Sequence, residues 1–261
     1  PGDYAPGRAG IVVGTVLGGI LSGERYMRSA GADPTRDRTL LRQYPLRAVA
    51  AALARPGFSG SVLTVSTACA SGTDANGIAF RNILDGRADA FVAGGVDAVS
   101  EFSFSGFCAL NALTPGVVRP FSRDRSGLAL GEGAAFLVLE REKAAMRRGA
   151  RILGRVAGYA SASDATHLTA PHRDGRGLSD AATGALREAG MVATEVDYVN
   201  AHGTGTLYND WMETKALKTV FGAHAAEVPV SSIKAVLGHA FGGAGAMEAV
   251  ACLLSMSDGV V

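Results

Sequence analysis

The chain has little of what marks several whole classes of protein. Of its 261 residues only three are cysteines: Cys69, Cys108 and Cys252. They are too widely spaced for a disulfide framework or a metal-ligand pattern, so no metal is expected, and the compartment expected is the reducing cytoplasm. Neither charge sign dominates: 25 basic and 24 acidic residues leave a net charge of +1. Bulk charge therefore gives no case for a nucleic-acid or membrane partner. No apolar run approaches the ~18 residues that span a bilayer. The first residues lack a charged start followed by an apolar core, so no signal peptide is expected. What is abundant is apolar residues, at 48%, and glycine, at 35 residues. That mixture suits a compact α/β protein with tight strand–helix turns, large enough for one big core or two smaller ones.

Strand-like and helix-like segments alternate. Strands are predicted over 10–14, 62–65, 90–93, 134–139, 152–159, 196–200 and 228–233. Helices are predicted over 70–85, 140–148, 178–189, 210–221 and 244–257. The alternation argues for α/β architecture with a largely parallel sheet. A junction falls near 149–152, dividing the chain into halves 1–150 and 151–261. Cys108 and Cys252 lie in apolar, helix-like stretches and read as buried packing residues.

Cys69 has a different setting. A β-prone run, Val62 to Val65, leads into small residues, and a helical pattern follows through Ala75, Ile78, Ala79 and Ile83. The thiol thus sits where a strand turns into a helix. Unpaired N–H groups and the positive helix end there favour the thiolate, the nucleophilic form. The competing reading is a buried free cysteine acting as a small apolar residue. Two further strands run into histidines among glycines, Val196–Asn200 into His202 and Val228–Ile233 into His239. With Cys69 they form a candidate Cys-His-His site.

Six pieces carry a resemblance: Thr67-Ala68-Cys69-Ala70-Ser71-Gly72, Val92-Ala93-Gly94-Gly95, Arg119-Pro120-Phe121, Gly131-Glu132-Gly133-Ala134, Asn200 through Thr206, and Lys234 through Glu248. In order and approximate spacing the chain resembles the β-ketoacyl-acyl carrier protein synthases, the condensing enzymes of fatty acid and polyketide synthesis. The likeness runs from about Gly10 to Val261. It implies a thiolase-like fold, two stacked βαβ-rich halves in five layers. Beside the family both ends look abrupt, and the chain looks like a fragment truncated at each. The segment that supplies a second oxyanion donor in the family would lie beyond Val261.

The implied reaction is decarboxylative Claisen condensation. Cys69 would carry the acyl group, and His202 and His239 would donate N–H to the malonyl thioester oxygen as the enolate forms. The implied partner is an acyl carrier protein bearing acyl and malonyl groups, in a homodimer joined through Val62–Val65. No cofactor is implied beyond the phosphopantetheine that arrives on the carrier. Lys234 and Glu248 match charged residues of the family's site, with a structural ion pair as the alternative. Thr169, Thr204 and Thr206 match threonines that bind the phosphopantetheine arm. Phe107 and Leu17 match positions lining the acyl pocket, and ordinary core packing is the competing reading for both. His167 also follows the family pattern and reads as structural.

Other readings are weaker. Asp210 and Glu213 have the spacing of a helix N-cap and its N3 partner rather than of a catalytic carboxylate pair. Gly14 to Gly19 lacks the ending and spacing of a nucleotide loop. The cluster Arg147, Arg148 and Arg151 reads as a solvated helix end. A thiolase would need a second cysteine near its C-terminus. A chain-length factor or other non-catalytic partner would characteristically lose Cys69. A truncated, inactive relic is the remaining alternative.

Overall fold

The computed structural model describes residues 4–29, 38–167 and 169–261. In chain order the first elements are β1 (Ala9–Gly14), α1 (Ile20–Arg28), α2 (Thr39–Gln43), α3 (Arg47–Leu53), β2 (Val62–Val65) and α4 (Ser71–Leu84). Next come β3 (Ala90–Asp97), α5 (Glu101–Ala109), β4 (Gly133–Glu140), α6 (Glu142–Arg147) and α7 (Arg176–Ala189). The last are β5 (Val199–Asn200), α8 (Leu207–Phe221), β6 (Val230–Ser231), α9 (Lys234–Leu237) and α10 (Ala244–Asp258). They divide into two compact units built from interleaved pieces of chain. The first comprises the described part of Pro1–Gly106, with Gly131–Leu153 and Ala240–Val250. The second comprises Phe107–Leu130, Gly154–His239 and Ala251–Val261.

The first unit is organised around a four-stranded sheet in the order β2-β1-β3-β4. Strands β2 and β3 run parallel to β1, and β4 runs antiparallel to β3. Side chains alternate across β1, so Val12 faces one side while Ile11 and Val13 face the other. Both sides are covered. Val12 packs with Ala75, Ala79 and Ile83 of α4 and with Phe91. Ile11 and Val13 pack with Ala50 of α3. This is why β1 reads as a continuous apolar run rather than an alternating one. Gly72, Ala75, Ala79 and Ile83 form a helical stripe of mostly small side chains that lets α4 lie close to the sheet. At Gly72 a Cβ would stand 2.7 Å from the Gly242 carbonyl, so only glycine fits. Phe91 is 2% exposed, and truncating it to alanine would cost ~3–5 kcal/mol.

The second unit has a two-stranded parallel sheet, with Val199 paired to Val230 and Asn200 to Ser231. Helix α8 packs on α7 and buries Ala216 and Phe221. The sheet is short, but it fixes the starting points of the two loops that follow its strands.

The α/β alternation is as expected from the sequence, and two local expectations are corrected. Residues 152–159 form no strand: most of the segment is exposed and no described strand pairs with it. Its apolar and β-branched content gives it strand character, but strand propensity is realised only beside a partner. Cys108 is exposed rather than buried, and Cys252 is half-buried. Helix α5, Glu-Phe-Ser-Phe-Ser-Gly-Phe-Cys-Ala, is apolar on every side, so its pattern selects no inward face, and only Ser103 is buried. Among the described residues no helix is long and apolar enough to cross a membrane.

Candidate active site

In the first unit, Cys69 stands immediately before Ala70, the N-cap of α4, and is half-buried. Its turn is held by residues close to it in sequence. The Ser71 hydroxyl donates to the Ala68 carbonyl at 2.6 Å and accepts the Thr67 N–H at 2.9 Å. Thr67 Oγ1 donates to Asp74 Oδ2 at 2.6 Å. The chain reverses at Ala68, whose φ of 52° lies in the left-handed region. An alanine there is strained by ~1–2 kcal/mol. The gain is that Cys69 is presented at the helix start rather than continued along the strand.

In the second unit, β5 delivers His202 and β6 with α9 delivers His239. The two rings meet edge to face, with centroids 5.2 Å apart and planes at 85°. His239 is 2% exposed, and its N–H donates to the Ala129 carbonyl at 2.8 Å. Lys234, at the start of α9, is also 2% exposed. Burial holds the His202 imidazole well below its ordinary pKa, and the Lys234 charge and neighbouring His239 add to the effect. Burial and then Lys234 bring His239 down to about 3. Both rings are therefore neutral at pH 7, and each offers an N–H without carrying charge.

The backbone around His202 rests on two buried carboxylates. Glu213 accepts the His202 N–H at 2.6 Å and the Gly203 N–H at 2.8 Å. Asp210 accepts the Gly205 N–H at 3.1 Å and the Phe121 N–H at 2.7 Å. Burial raises the Glu213 pKa, and the two N–H bonds partly oppose that. Gly203 has a φ of 41°, and a Cβ on it would stand 2.5 Å from Cβ of Ser232. The Ser232 hydroxyl donates to the Gly203 carbonyl at 3.0 Å.

The family models for the β-ketoacyl synthase N-terminal and C-terminal domains match residues 2–145 and 153–261. The chain belongs to the β-ketoacyl synthase family. It is 38% identical over 95% of its length to the 3-oxoacyl-[acyl-carrier-protein] synthase 2 of Synechocystis sp., covering 62% of that protein. It is 39% identical over its whole length to the ketoacyl synthase alpha subunit of the tetracenomycin polyketide synthase of Streptomyces glaucescens, covering 65% of it. A type II polyketide acyl-carrier protein in complex with its ketosynthase gives a TM-score of 0.90 at 33% identity, over 98% of this chain and 66% of that one. The chain thus has the thiolase-like fold of the ketosynthases and spans a little under two thirds of the length of these curated relatives.

The remaining ketosynthase positions fall as follows. Leu17 and Glu248 lie in the first unit with Cys69; Leu17 is buried and Glu248 half-buried. Thr204 is buried in the His202 loop, and its hydroxyl lies 2.9 Å from that of half-buried Thr206. Phe107 is half-buried in the second unit. Thr169 is exposed; neighbouring Leu168 lies outside the described residues. His167 accepts the Thr169 N–H at 3.1 Å through Nδ1. Arg148 pairs with Glu140 of β4, and Arg147 and Arg151 are exposed, as a solvated helix end would be.

Sequence reasoning missed the work of Asp210 and Glu213. The structure corrects their reading as a helix cap: Thr206 is the N-cap of α8, so both carboxylates lie within the first two turns. The glycine N–H groups of the preceding loop are their better partners. The signal was available: two acids at i and i+3, following a glycine loop and flanked by apolar positions of helical period.

Proposed function

We propose that the protein catalyses decarboxylative Claisen condensation, giving a 3-oxoacyl-acyl carrier protein in fatty acid or polyketide synthesis. The Cys69 thiolate attacks an acyl-carrier thioester, expels the carrier thiol and holds the acyl group. Malonyl on a second carrier then loses carbon dioxide, and its electron pair moves onto the thioester oxygen. His202 and His239 stabilise that oxygen by donating N–H. The carbanion attacks the acyl–Cys69 carbonyl, a carbon–carbon bond forms, and the Cys69 thiolate leaves.

One observation carries this reading: two adjacent imidazoles held neutral by burial beside a buried cation. Neutral N–H donors that are fixed in place before the reaction stabilise a developing enolate without reorganising as the charge forms. Lys234 adds to the burial that keeps the rings uncharged, and Glu248 orients the surrounding groups. Thr204, Thr206 and Thr169 suit the amides of a phosphopantetheine arm, since hydroxyls both donate and accept. Leu17 and Phe107 line the acyl pocket. The halves 1–150 and 151–261 correspond to the nucleophile and the two histidines. Edge strand β2, exposed at Val62 and Leu63, pairs with a second ketosynthase chain and so protects its edge.

The test is acylation of the full-length protein from an acyl-carrier donor, followed by peptide mass mapping. The acyl group is expected on Cys69. An acyl group on Cys108 or Cys252, with Cys69 untouched, rules the mechanism out.

A further inference from the structure

Asp97 closes β3 with a carboxylate that is only 3% exposed. Its Oδ1 accepts the Thr15 hydroxyl at 2.6 Å and the Leu17 N–H at 2.9 Å. Its Oδ2 accepts the Val16 N–H at 2.8 Å and the Gly242 N–H at 2.7 Å. Four donors occupy the four lone-pair sites of a carboxylate, and none of them is a cation. The network continues outward, because fully buried Thr15 accepts the Gly18 N–H at 2.9 Å. Gly242 is fitted as tightly: a Cβ there would stand 2.8 Å from Asp97 Oδ2 and 2.8 Å from the Thr15 Cα.

All of these residues belong to the first unit. The groups that donate to Asp97 lie in two segments far apart in sequence, the loop after β1 and the turn that follows His239 in the chain. A buried anion is costly unless every lone pair is answered. Here each is answered by a donor whose place the anion then fixes, and charge-assisted bonds are about twice as strong as neutral ones.

We propose that Asp97 is a positioning residue that clamps the Thr15–Leu17 loop to the Gly242 turn and thereby sets which acyl chain length is accepted. The specificity half rests on the reading that Leu17 lines the acyl pocket. Leu17 is held by its own backbone N–H, so the position of its side chain follows Asp97 Oδ1. Released, the loop widens or narrows the pocket without touching the nucleophile.

The experiment compares full-length wild type with Asp97→Asn and Thr15→Val. Asparagine replaces one acceptor with an NH₂ that faces N–H donors. Valine keeps the shape of threonine and removes only the hydroxyl. In Asp97→Asn, amide exchange at Val16, Leu17 and Gly242 should accelerate while that of Ile11 to Val13 stays slow. The ratio of kcat/KM for a long and a short acyl-carrier donor should shift by about tenfold, the effect of losing a buried charged hydrogen bond. Thr15→Val should shift the same ratio less, and it decides the matter if Asp97→Asn does not fold. A merely structural residue would lower kcat/KM for both donors alike, and an unchanged ratio overturns the proposal. If wild type takes no acyl group, the acyl-pocket reading fails. The clamp is then judged by exchange alone, and unaltered exchange at Leu17 and Gly242 in Asp97→Asn overturns it.

Discussion

The cysteine turn and the histidine loops are built in opposite ways. The hydrogen bonds that Thr67, Ser71 and Asp74 make around the Cys69 turn stay within a single strand-turn-helix. The His202 loop takes its supports from Glu213 and Ser232, 11 and 30 residues away. The His239 loop takes one from Ala129. The first site is local and half-buried. The second is assembled from distant pieces, with His239 buried and His202 half-buried. The proposed nucleophile needs presentation, which a strained local turn supplies. The proposed donors need neutral rings held in place, which tertiary packing supplies.

The largest expected effect would break this comparison at its chemistry. His202→Ala or His239→Ala should slow decarboxylation of malonyl-carrier by about 10²–10³, the usual effect of losing one preorganised donor. Cys69→Ala should abolish condensation yet retain decarboxylation, because the donors remain. Release of carbon dioxide measured apart from product formation separates the two. Undiminished decarboxylation in both histidine variants would leave the rings without the proposed role.

Glu213→Gln sharpens the comparison at the level of support. Glutamine retains one acceptor for the two N–H groups of His202 and Gly203 and aims an NH₂ at the other. The loss should be ~1–3 kcal/mol, since the donors are shielded from water. Denaturant unfolding gives the stability, and malonyl decarboxylation reports the loop. Unchanged values for both would show that the loop is fixed from elsewhere.

Acid should find the histidine site first. His239 titrates near 6.5 when unfolded and at about 3 in the fold, and His202 is shifted in the same direction. The unfolded chain therefore takes up protons before the folded one does. This contribution is complete above pH 6.5 and erodes as pH falls toward 3, by up to about 1.4 kcal/mol per pH unit for each ring. His224 runs the other way. The Val196 carbonyl and Glu227 raise its pKa, so its contribution is present below 6.5 and lost above its folded value. Lys234→Met should raise both buried pKa values while burial, the larger cause, keeps them below 6.5. Proton NMR titration of the ring Cε1–H signals tests this, and unmoved titrations would remove Lys234 from the account.

The same contrast explains what could be read in the sequence. Strand β1, β2, the cysteine turn and α4 follow from periodicity and small residues close together in the chain. The setting of Cys69 at a strand–helix turn was legible for that reason, and the setting of the histidines because glycine-rich loops follow β-prone runs. Glu213 and Asp210 left a trace, two acids at i and i+3 after a glycine loop, but the duty of Asp97 was not legible. Three of its four donors are backbone N–H groups of other segments, which leave no side-chain signature. Residues 152–159 failed for the converse reason: their local pattern promised a strand, and no described strand pairs with them.

The smallest expected effect belongs to the local site. Ser71 bonds both Thr67 and Ala68, so Ser71→Ala removes two bonds of the Cys69 turn at once. Ser71 is fully buried, but Thr67 is exposed, so water can answer the N–H that loses its partner. The Ala68 carbonyl still accepts the Ser71 backbone N–H at 3.1 Å. Neither group is left stranded, and the loss should sit near ~1 kcal/mol rather than at the larger cost of an unsatisfied buried group. Helix α4 remains anchored through Ala75, Ala79 and Ile83, so Cys69 should still stand at its start. Denaturant unfolding and the rate of iodoacetamide labelling at Cys69 test both statements. The stability should fall slightly and labelling should persist. A collapse in stability comparable to that of Glu213→Gln, or loss of labelling, would show that the cysteine turn also depends on distant packing and that the two regions are built alike.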